Sequence, residues 1–401
     1  MPRTGTVSFA LLALCALAGA SAVSTVPLTK RVDAARLRNL PSSDRARLHG
    51  LLSTLGGDED ARRAAPPIAA TNRATSYTVD VQIGSPPTTY SLIVDTGSAN
   101  TWVGANKKYE PTASSEPTNK SVSVSYGTGF FAGKEVLDRF ALSEHLVVDK
   151  QSLGVAEETD GFDGFDGILG LGPAKLSEFT VDDTDQVPTV TDNLQAGGAL
   201  AHRVLGVSFL PNTVAHGAGS LTFGGTDSAL HVGPIAYVPI TSVEPSNKFF
   251  GVNASVALGS DTLLPHGAAG IVDTGTTLVL LATEAYDAYV NATGAVLDGD
   301  LGLLRLTKAQ YKRLRPLTFH IGHTAFVLTP NAQILSRSLN VEIGGQKDAI
   351  YLVIHDLGGP AGIGLDFIIG QSFLQRFYSV FDSDKSRVGF AYTKQTFSNV
   401  N

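Results

Sequence analysis

One short string capable of acid–base chemistry occurs twice in the chain. Leu92-Ile93-Val94-Asp95-Thr96-Gly97-Ser98 recurs as Gly270-Ile271-Val272-Asp273-Thr274-Gly275-Thr276. Each copy is followed later by two apolar residues and a glycine, Ile168-Leu169-Gly170 and Ile368-Ile369-Gly370. At average residue frequencies one apolar-apolar-Asp-Thr-Gly-Ser/Thr string arises by chance in roughly one such chain per thousand. Two copies therefore mark an internal duplication. Asp-Thr-Gly at the end of a buried strand puts a carboxylate where the chain must turn. The glycine permits close backbone approach, and the threonine hydroxyl can tie the loop to its counterpart. Two such loops from two lobes would face one another across a pseudo-two-fold axis. Asp95 and Asp273 could then share one proton, because adjacent like charges cannot both ionise cheaply. One neutral and one ionised carboxyl provide an acid and a base for activating water against an amide carbonyl, with no metal and no covalent intermediate needed.

Competing constellations are missing from the sequence. There is no His-Glu-x-x-His, no Gly-x-Ser-x-Gly and no Walker loop. His320 and His323 bracket Ile321-Gly322 in what reads as a hairpin from Phe319 to Val327, a poor metal site. No metal or other cofactor is expected. The net charge of −7 has the wrong sign for a general nucleic-acid binder.

The elements that must position the two aspartates read as β-structure. Tyr77, Val79, Val81 and Ile83 alternate with Thr78, Asp80 and Gln82, a half-buried strand closed by Gly84-Ser85-Pro86-Pro87. Ser91-Leu92-Ile93-Val94 fits a buried strand leading into Asp95. Val122, Val124 and Tyr126 alternate again before Gly127-Thr128-Gly129 turns the chain into Phe130-Phe131, a hairpin signal. Helices are few and short. Thr307 with Gln310 makes a capping box for a helix ended by Pro316, and Pro188 starts another that stops near Gly197-Gly198. With 401 residues, 43% apolar, 42 glycines and 19 prolines, the chain can bury a large turn-rich core and is not disordered.

The N-terminus reads as a leader. Arg3, the apolar run Val7 to Leu17 and Ala18-Gly19-Ala20 fit a signal peptide over residues 1–20, with a cut after Ala22 as the alternative. Its removal takes away Cys15, the single cysteine, and with it any disulfide, zinc–thiolate site or cysteine nucleophile. Residues 21–63 carry eight basic and five acidic residues, whereas residues 64–401 hold 21 basic against 32 acidic. A basic leader at +3 on a body at −11 reads as a pro-segment held partly by charge, with Arg62-Arg63 a processing site before Ala64. Asn119, Asn253 and Asn291 begin glycosylation sequons. The C-terminus has no apolar tail of the kind a lipid anchor requires.

Taken together, the duplicated loops, Tyr126-Gly127-Thr128-Gly129 and Phe165-Asp166-Gly167-Ile168-Leu169-Gly170 resemble the pepsin-like aspartic endopeptidases. The resemblance is nearest to their cysteine-free secreted fungal members and covers essentially residues 24–401, with Val26-Pro27-Leu28-Thr29-Lys30-Arg31 similar to the start of the family's pro-segment. It implies an all-β, bilobal fold with pseudo-two-fold symmetry and a central cleft. The N-terminal lobe would be 64–238 and the C-terminal lobe 239–401, a boundary blurred by the family's central sheet. It implies Asp95 and Asp273 as the catalytic dyad, Thr96 and Thr274 cross-linking the loops beside Gly97 and Gly275, and Ser98 and Thr276 bonding the outer carboxylate oxygens. Tyr126, Gly127 and Thr128 would form a flap over the substrate, supported by Trp102. Ile93, Phe165 and Ile168 would line an apolar pocket before the scissile bond, and Thr277 would also contact substrate. The expected protein is a secreted monomer acting on peptides and inhibited by its own pro-segment. Many relatives carry Asp after the second apolar-apolar-Gly, where this chain has Gln371.

Overall fold

The alternation at Tyr77–Ile83 becomes the strand Thr75–Ile83, and the apolar run before Asp95 becomes the strand Thr88–Asp95. They sit side by side in an eight-stranded sheet. Its order is Thr29–Val32, Thr75–Ile83, Thr88–Asp95, Gly167–Gly170, Trp102–Val103, Val147–Asp160, Phe130–Ala141, Glu116–Ser125. A seven-stranded sheet runs Thr324–Leu328, Leu317–Ile321, Gly251–Leu258, Asp261–Val272, Phe367–Ile369, Val279–Leu281, Ile354–Asp356. This computed structural model describes residues 23–32, 40–53, 75–126, 129–211 and 218–401. The expected signal peptide over residues 1–20, Arg62-Arg63, Ala64 and the expected hairpin residues Gly127 and Thr128 lie outside the described residues.

The sequence duplication has a structural counterpart. Thr88–Asp95 runs parallel to Gly167–Gly170, which pairs antiparallel with Trp102–Val103. In the other sheet Asp261–Val272 runs parallel to Phe367–Ile369, which pairs antiparallel with Val279–Leu281. Asp95 thus stands opposite Gly170, and Val272, one residue before Asp273, opposite Ile369. The two glycines of the apolar-apolar-Gly strings are needed for contact. A Cβ on Gly170 would stand 2.6 Å from the Asn100 carbonyl oxygen, and one on Gly370 would stand 2.6 Å from that of Thr276.

A six-stranded sheet joins distant parts of the chain in the order Ser24–Pro27, Gly219–Phe223, Val204–Phe209, Phe377–Asp382, Arg387–Tyr392, Val232–Pro239. It therefore draws on the leader, the middle and the C-terminal end. Val190–Ala196 is a helix capped by Thr189, whose side chain and that of Asp192 form a reciprocal box. The Thr307–Gln310 box also forms, but its helix covers only Lys308–Tyr311 and ends well before Pro316. The strand Leu317–Ile321, paired with Gly251–Leu258, requires extended chain by that point. His320 and His323 flank the turn of the hairpin Leu317–Ile321/Thr324–Leu328. No described helix is long and apolar enough to cross a membrane.

The leader contributes one long helix, α1 (Leu40–Ser53). Only Ser42 and His49 of its described side chains are fully exposed, with Arg45 and Leu52 intermediate. These four positions share one face of a 3.6-residue helix, so the other faces are enclosed by protein. α1 lies between the strand Glu116–Ser125 of one sheet and Ile354–Asp356 of the other.

Candidate active site

The two Asp-Thr-Gly loops meet beneath α1, and local chain geometry fixes both carboxylates. The Gly97 N–H donates to Asp95 Oδ1 at 3.0 Å and the Gly275 N–H to Asp273 Oδ1 at 2.9 Å. On the outer side Ser98 Oγ donates to Asp95 Oδ2 at 2.6 Å and Thr276 Oγ1 to Asp273 Oδ2 at 2.5 Å. The loops are tied to each other by a symmetric pair of bonds. The Thr96 N–H donates to Thr274 Oγ1 (2.9 Å) and the Thr274 N–H to Thr96 Oγ1 (3.0 Å). Each hydroxyl then donates across the divide, Thr96 to the Val272 carbonyl and Thr274 to that of Val94.

Glycine is required in both loops by close approach of the Arg47 guanidinium and of the partner's carboxylate rather than by a special dihedral angle. A Cβ on Gly97 would stand 2.7 Å from Asp273 Oδ1, and one on Gly275 the same distance from Asp95 Oδ1. Gln371 packs behind the second loop, where its Nε2 donates to the Thr274 carbonyl at 2.8 Å. A neutral amide thus supports the loop that carries Asp273.

Arg47 of α1 completes the constellation, and no reading of the sequence had singled it out. Its Nε donates to Asp273 Oδ2 at 2.6 Å, while Nη2 donates to Asp273 Oδ1 (2.8 Å) and Asp95 Oδ1 (2.5 Å). All three side chains are at most 1% exposed. Burial by itself opposes the Arg47 charge, but the carboxylates of Asp273 and Asp95 override it and hold the guanidinium well above its ordinary range. The planar fork suits this task because one residue engages three oxygens.

One helical turn earlier, Asp44 accepts the backbone N–H groups of Thr277 (3.2 Å) and Leu278 (2.7 Å). Burial pushes its carboxyl up to about 7, with Asp273 adding to the rise; the Leu278 and Thr277 donors and the Arg47 cation pull against it. The one signal in the sequence for either residue is membership of the basic leader. Of the four described basic residues there, Arg47 and Arg45 meet carboxylates, while Lys30 donates to the Tyr77 hydroxyl and Arg31 to the Gly164 carbonyl. In the described part of the leader, charge attraction is thus carried by Arg47 on the dyad and Arg45 on Asp356.

Beside the dyad lies a second buried cluster holding Ile93, Trp102, Tyr126, Phe131, Phe162, Phe165 and Ile168. The Trp102 Nε1–H donates to the Tyr126 hydroxyl at 2.9 Å, and the indole stacks on Phe131 with centroids 4.4 Å apart. Phe162 meets both Trp102 and Tyr126 edge-on. Tyr126 ends one arm of the hairpin Glu116–Ser125/Phe130–Ala141, closed by its N–H to the Gly129 carbonyl at 2.8 Å. Ile93, Phe165 and Ile168 are buried in this state. Two carboxylates are thus held at matching positions with one guanidinium bonded to both.

Comparison with known proteins agrees with this geometry. The family described as eukaryotic aspartyl protease matches residues 76–393. The chain is similar to polyporopepsin of Irpex lacteus, 50% identical over 341 residues, which is 84% of this chain and all of that one. It is also similar to human gastricsin, 30% identical over 333 residues, covering 79% of this chain and 81% of the other. The crystal structure of the aspartic proteinase from Irpex lacteus superposes with a TM-score of 0.81 at 44% identity, over 95% of this chain and all of that one.

Proposed function

The chain belongs to the eukaryotic aspartyl protease family and is an aspartic endopeptidase of the bilobal pepsin-like fold, and we propose that it is exported as a zymogen whose dyad, Asp95 and Asp273, is held closed by Arg47. The observation that carries this reading is the single guanidinium bonded to both carboxylates. While Arg47 is seated, substrate water has no place between them. Once α1 leaves, the two carboxyls share one proton. The ionised one takes a proton from the attacking water while the neutral one protonates the carbonyl oxygen of the scissile amide. Transfer of a proton to the amide nitrogen then lets the C–N bond break. The Thr96–Thr274 bonds keep the carboxyls in register throughout, and Ser98 and Thr276 fix which oxygens face the water.

Release of α1 frees the dyad to take up one proton, so acid favours the open form. Asp44 works in the opposite sense. Its carboxyl is raised to about 7 when docked and returns to an ordinary value of about 4 when released. Docking therefore gains from Asp44 fully below about pH 4 and loses that gain as pH rises towards about 7. Acid release thus rests on the dyad, and Asp44 opposes it between about pH 4 and 7. The mature chain is expected to begin near Ala64 and to act as a secreted monomer. It should prefer an apolar residue before the cut, received beside Ile93, Phe165 and Ile168, with Thr128 of the flap offering no countercharge to lysine. The deciding experiment is hydrolysis of denatured protein and of a Phe/Lys peptide pair across pH 2–7 by wild type, Asp95→Asn and Asp273→Asn. More than a hundredth of wild-type activity in either variant refutes the shared-proton dyad. Equal kcat/KM for the peptide pair refutes the pocket.

A further inference from the structure

Arg45 sits on the solvent-facing side of α1, two residues before Arg47. Its Nη1 is 3.8 Å from Asp356 Oδ2, and its stem passes over Gly358, where a Cβ would stand 3.4 Å from the Arg45 Cδ. Asp356 closes the strand Ile354–Asp356 at the edge of the seven-stranded sheet. Its other oxygen, Oδ1, is already committed: Thr283 Oγ1 donates to it at 2.8 Å and the Gly358 N–H at 2.9 Å. The carboxylate is therefore oriented independently of Arg45, with Oδ2 turned towards the helix. Gly358 has φ +84°, a conformation that disfavours any side chain there and keeps the track of the stem open.

The cleft that α1 fills is, on the reading above, the cleft that substrate enters once α1 has gone. Asp356, on the strand that packs against α1, then keeps one oxygen fixed while the other loses the cation it faced. We propose that Asp356 is a specificity-determining residue of the active enzyme, accepting an arginine or lysine side chain of the substrate where Arg45 lies in the zymogen. An extended substrate advances about 3.3–3.6 Å per residue. Arg45 and Arg47 engage different carboxylates, so the substrate residue that replaces Arg45 is one or more such steps from the scissile bond. The enzyme thus combines an apolar requirement at the cut with a basic preference further along the chain. The pair is partly exposed, 40% at Arg45 and 19% at Asp356, so solvent screens it and the preference is a matter of a few-fold.

This inference rests on the protease reading, and its test separates the two. Matched peptides carrying Arg or Gln at each of four positions on either side of one cleavage site are assayed with acid-activated wild type and Asp356→Asn. The quantity read is the Arg/Gln ratio of kcat/KM within each protein, which a general loss of activity leaves untouched. One position should show a ratio of about three to five in wild type, falling to near one in the variant, which keeps an oxygen for Thr283 and Gly358. In parallel, Kd values of statine-containing peptides with Arg or Gln at the same positions are measured on wild type in 0.05 M and 1 M salt. The preference should appear at low salt and vanish at high salt. No preference at any position, or one that survives in Asp356→Asn, overturns the assignment. Preferential, salt-sensitive binding by an enzyme that cleaves nothing would overturn the protease reading and leave this site standing.

Discussion

Replacing Arg47 by Met tests the closure of the dyad most directly. The guanidinium makes three bonds to two carboxylates that have no access to solvent. Removing one partner from a buried ion pair costs about 3–5 kcal/mol, because the remaining charge is left desolvated. One carboxyl can escape part of that cost by taking up a proton, so the lower figure applies. At about 1.4 kcal/mol per tenfold change, 3 kcal/mol lowers the ratio of docked to released helix by about two orders of magnitude at any fixed pH. Arg47→Lys keeps the charge but cannot fork across three oxygens, and should fall between. The assay is hydrolysis of a quenched fluorescent peptide by full-length chain in the first minutes after transfer to pH 5–6, with intact mass recording whether residues 21–63 are still attached. Arg47→Met is expected to cleave at once with its leader uncut, whereas wild type lags. An Arg47→Met chain as silent as wild type under these conditions would show that the guanidinium is not what closes the site.

Asp44→Asn keeps an oxygen for the Thr277 and Leu278 N–H groups but cannot ionise. It should remove the opposing proton between about pH 4 and 7 and make release depend more steeply on acid there, as read from activation rate against pH; an unchanged slope refutes the role given to Asp44. Gly275→Ala places a Cβ 2.7 Å from Asp95 Oδ1 and should lower kcat/KM by about a hundredfold with an unaltered circular dichroism spectrum; a loss below threefold counts against the close approach of the loops. Trp102→Phe and Tyr126→Phe each break the same 2.9 Å hydrogen bond, and Trp102→Phe also removes packing on Phe131, so the two changes together should cost less in kcat/KM than the sum of their separate effects. Full additivity in kcat/KM would show that the bond does not couple the two rings. Asn119, Asn253 and Asn291 are all exposed, and enzymatic removal of N-linked glycans from secreted protein should lower its mass; an unchanged mass refutes their use.

The chemistry was legible because it is written in local chain geometry. Asp95 and Asp273 are held by the N–H two residues on and the hydroxyl three residues on, and such short-range bonds leave a fixed string in the sequence. Duplication made that string readable and implied the facing pair, while the alternation at Tyr77–Ile83 and Val122–Tyr126 marked the β-structure around it. The capping box at Thr307 was legible for the same reason, while the early end of its helix was not, since a strand pairing about sixty residues away decides it. What the tertiary structure alone decided are contacts between distant segments. Nothing near Arg47 in the chain distinguishes it from the other arginines of the leader; it is singled out by Asp273, 226 residues later. Asp44 reads as an ordinary surface acid until α1 brings it to Leu278, 234 residues away. The sequence of α1 shows no apolar stripe because a helix enclosed on most sides buries polar residues as well as Leu40, Leu48 and Leu51, and periodicity reports only a boundary between one wet face and one dry face. The six-stranded sheet is equally silent in the sequence. A strand states which of its own side chains face inward, but its partner is chosen by packing the whole chain, here Ser24–Pro27 against Gly219–Phe223 and Val204–Phe209 against Phe377–Asp382.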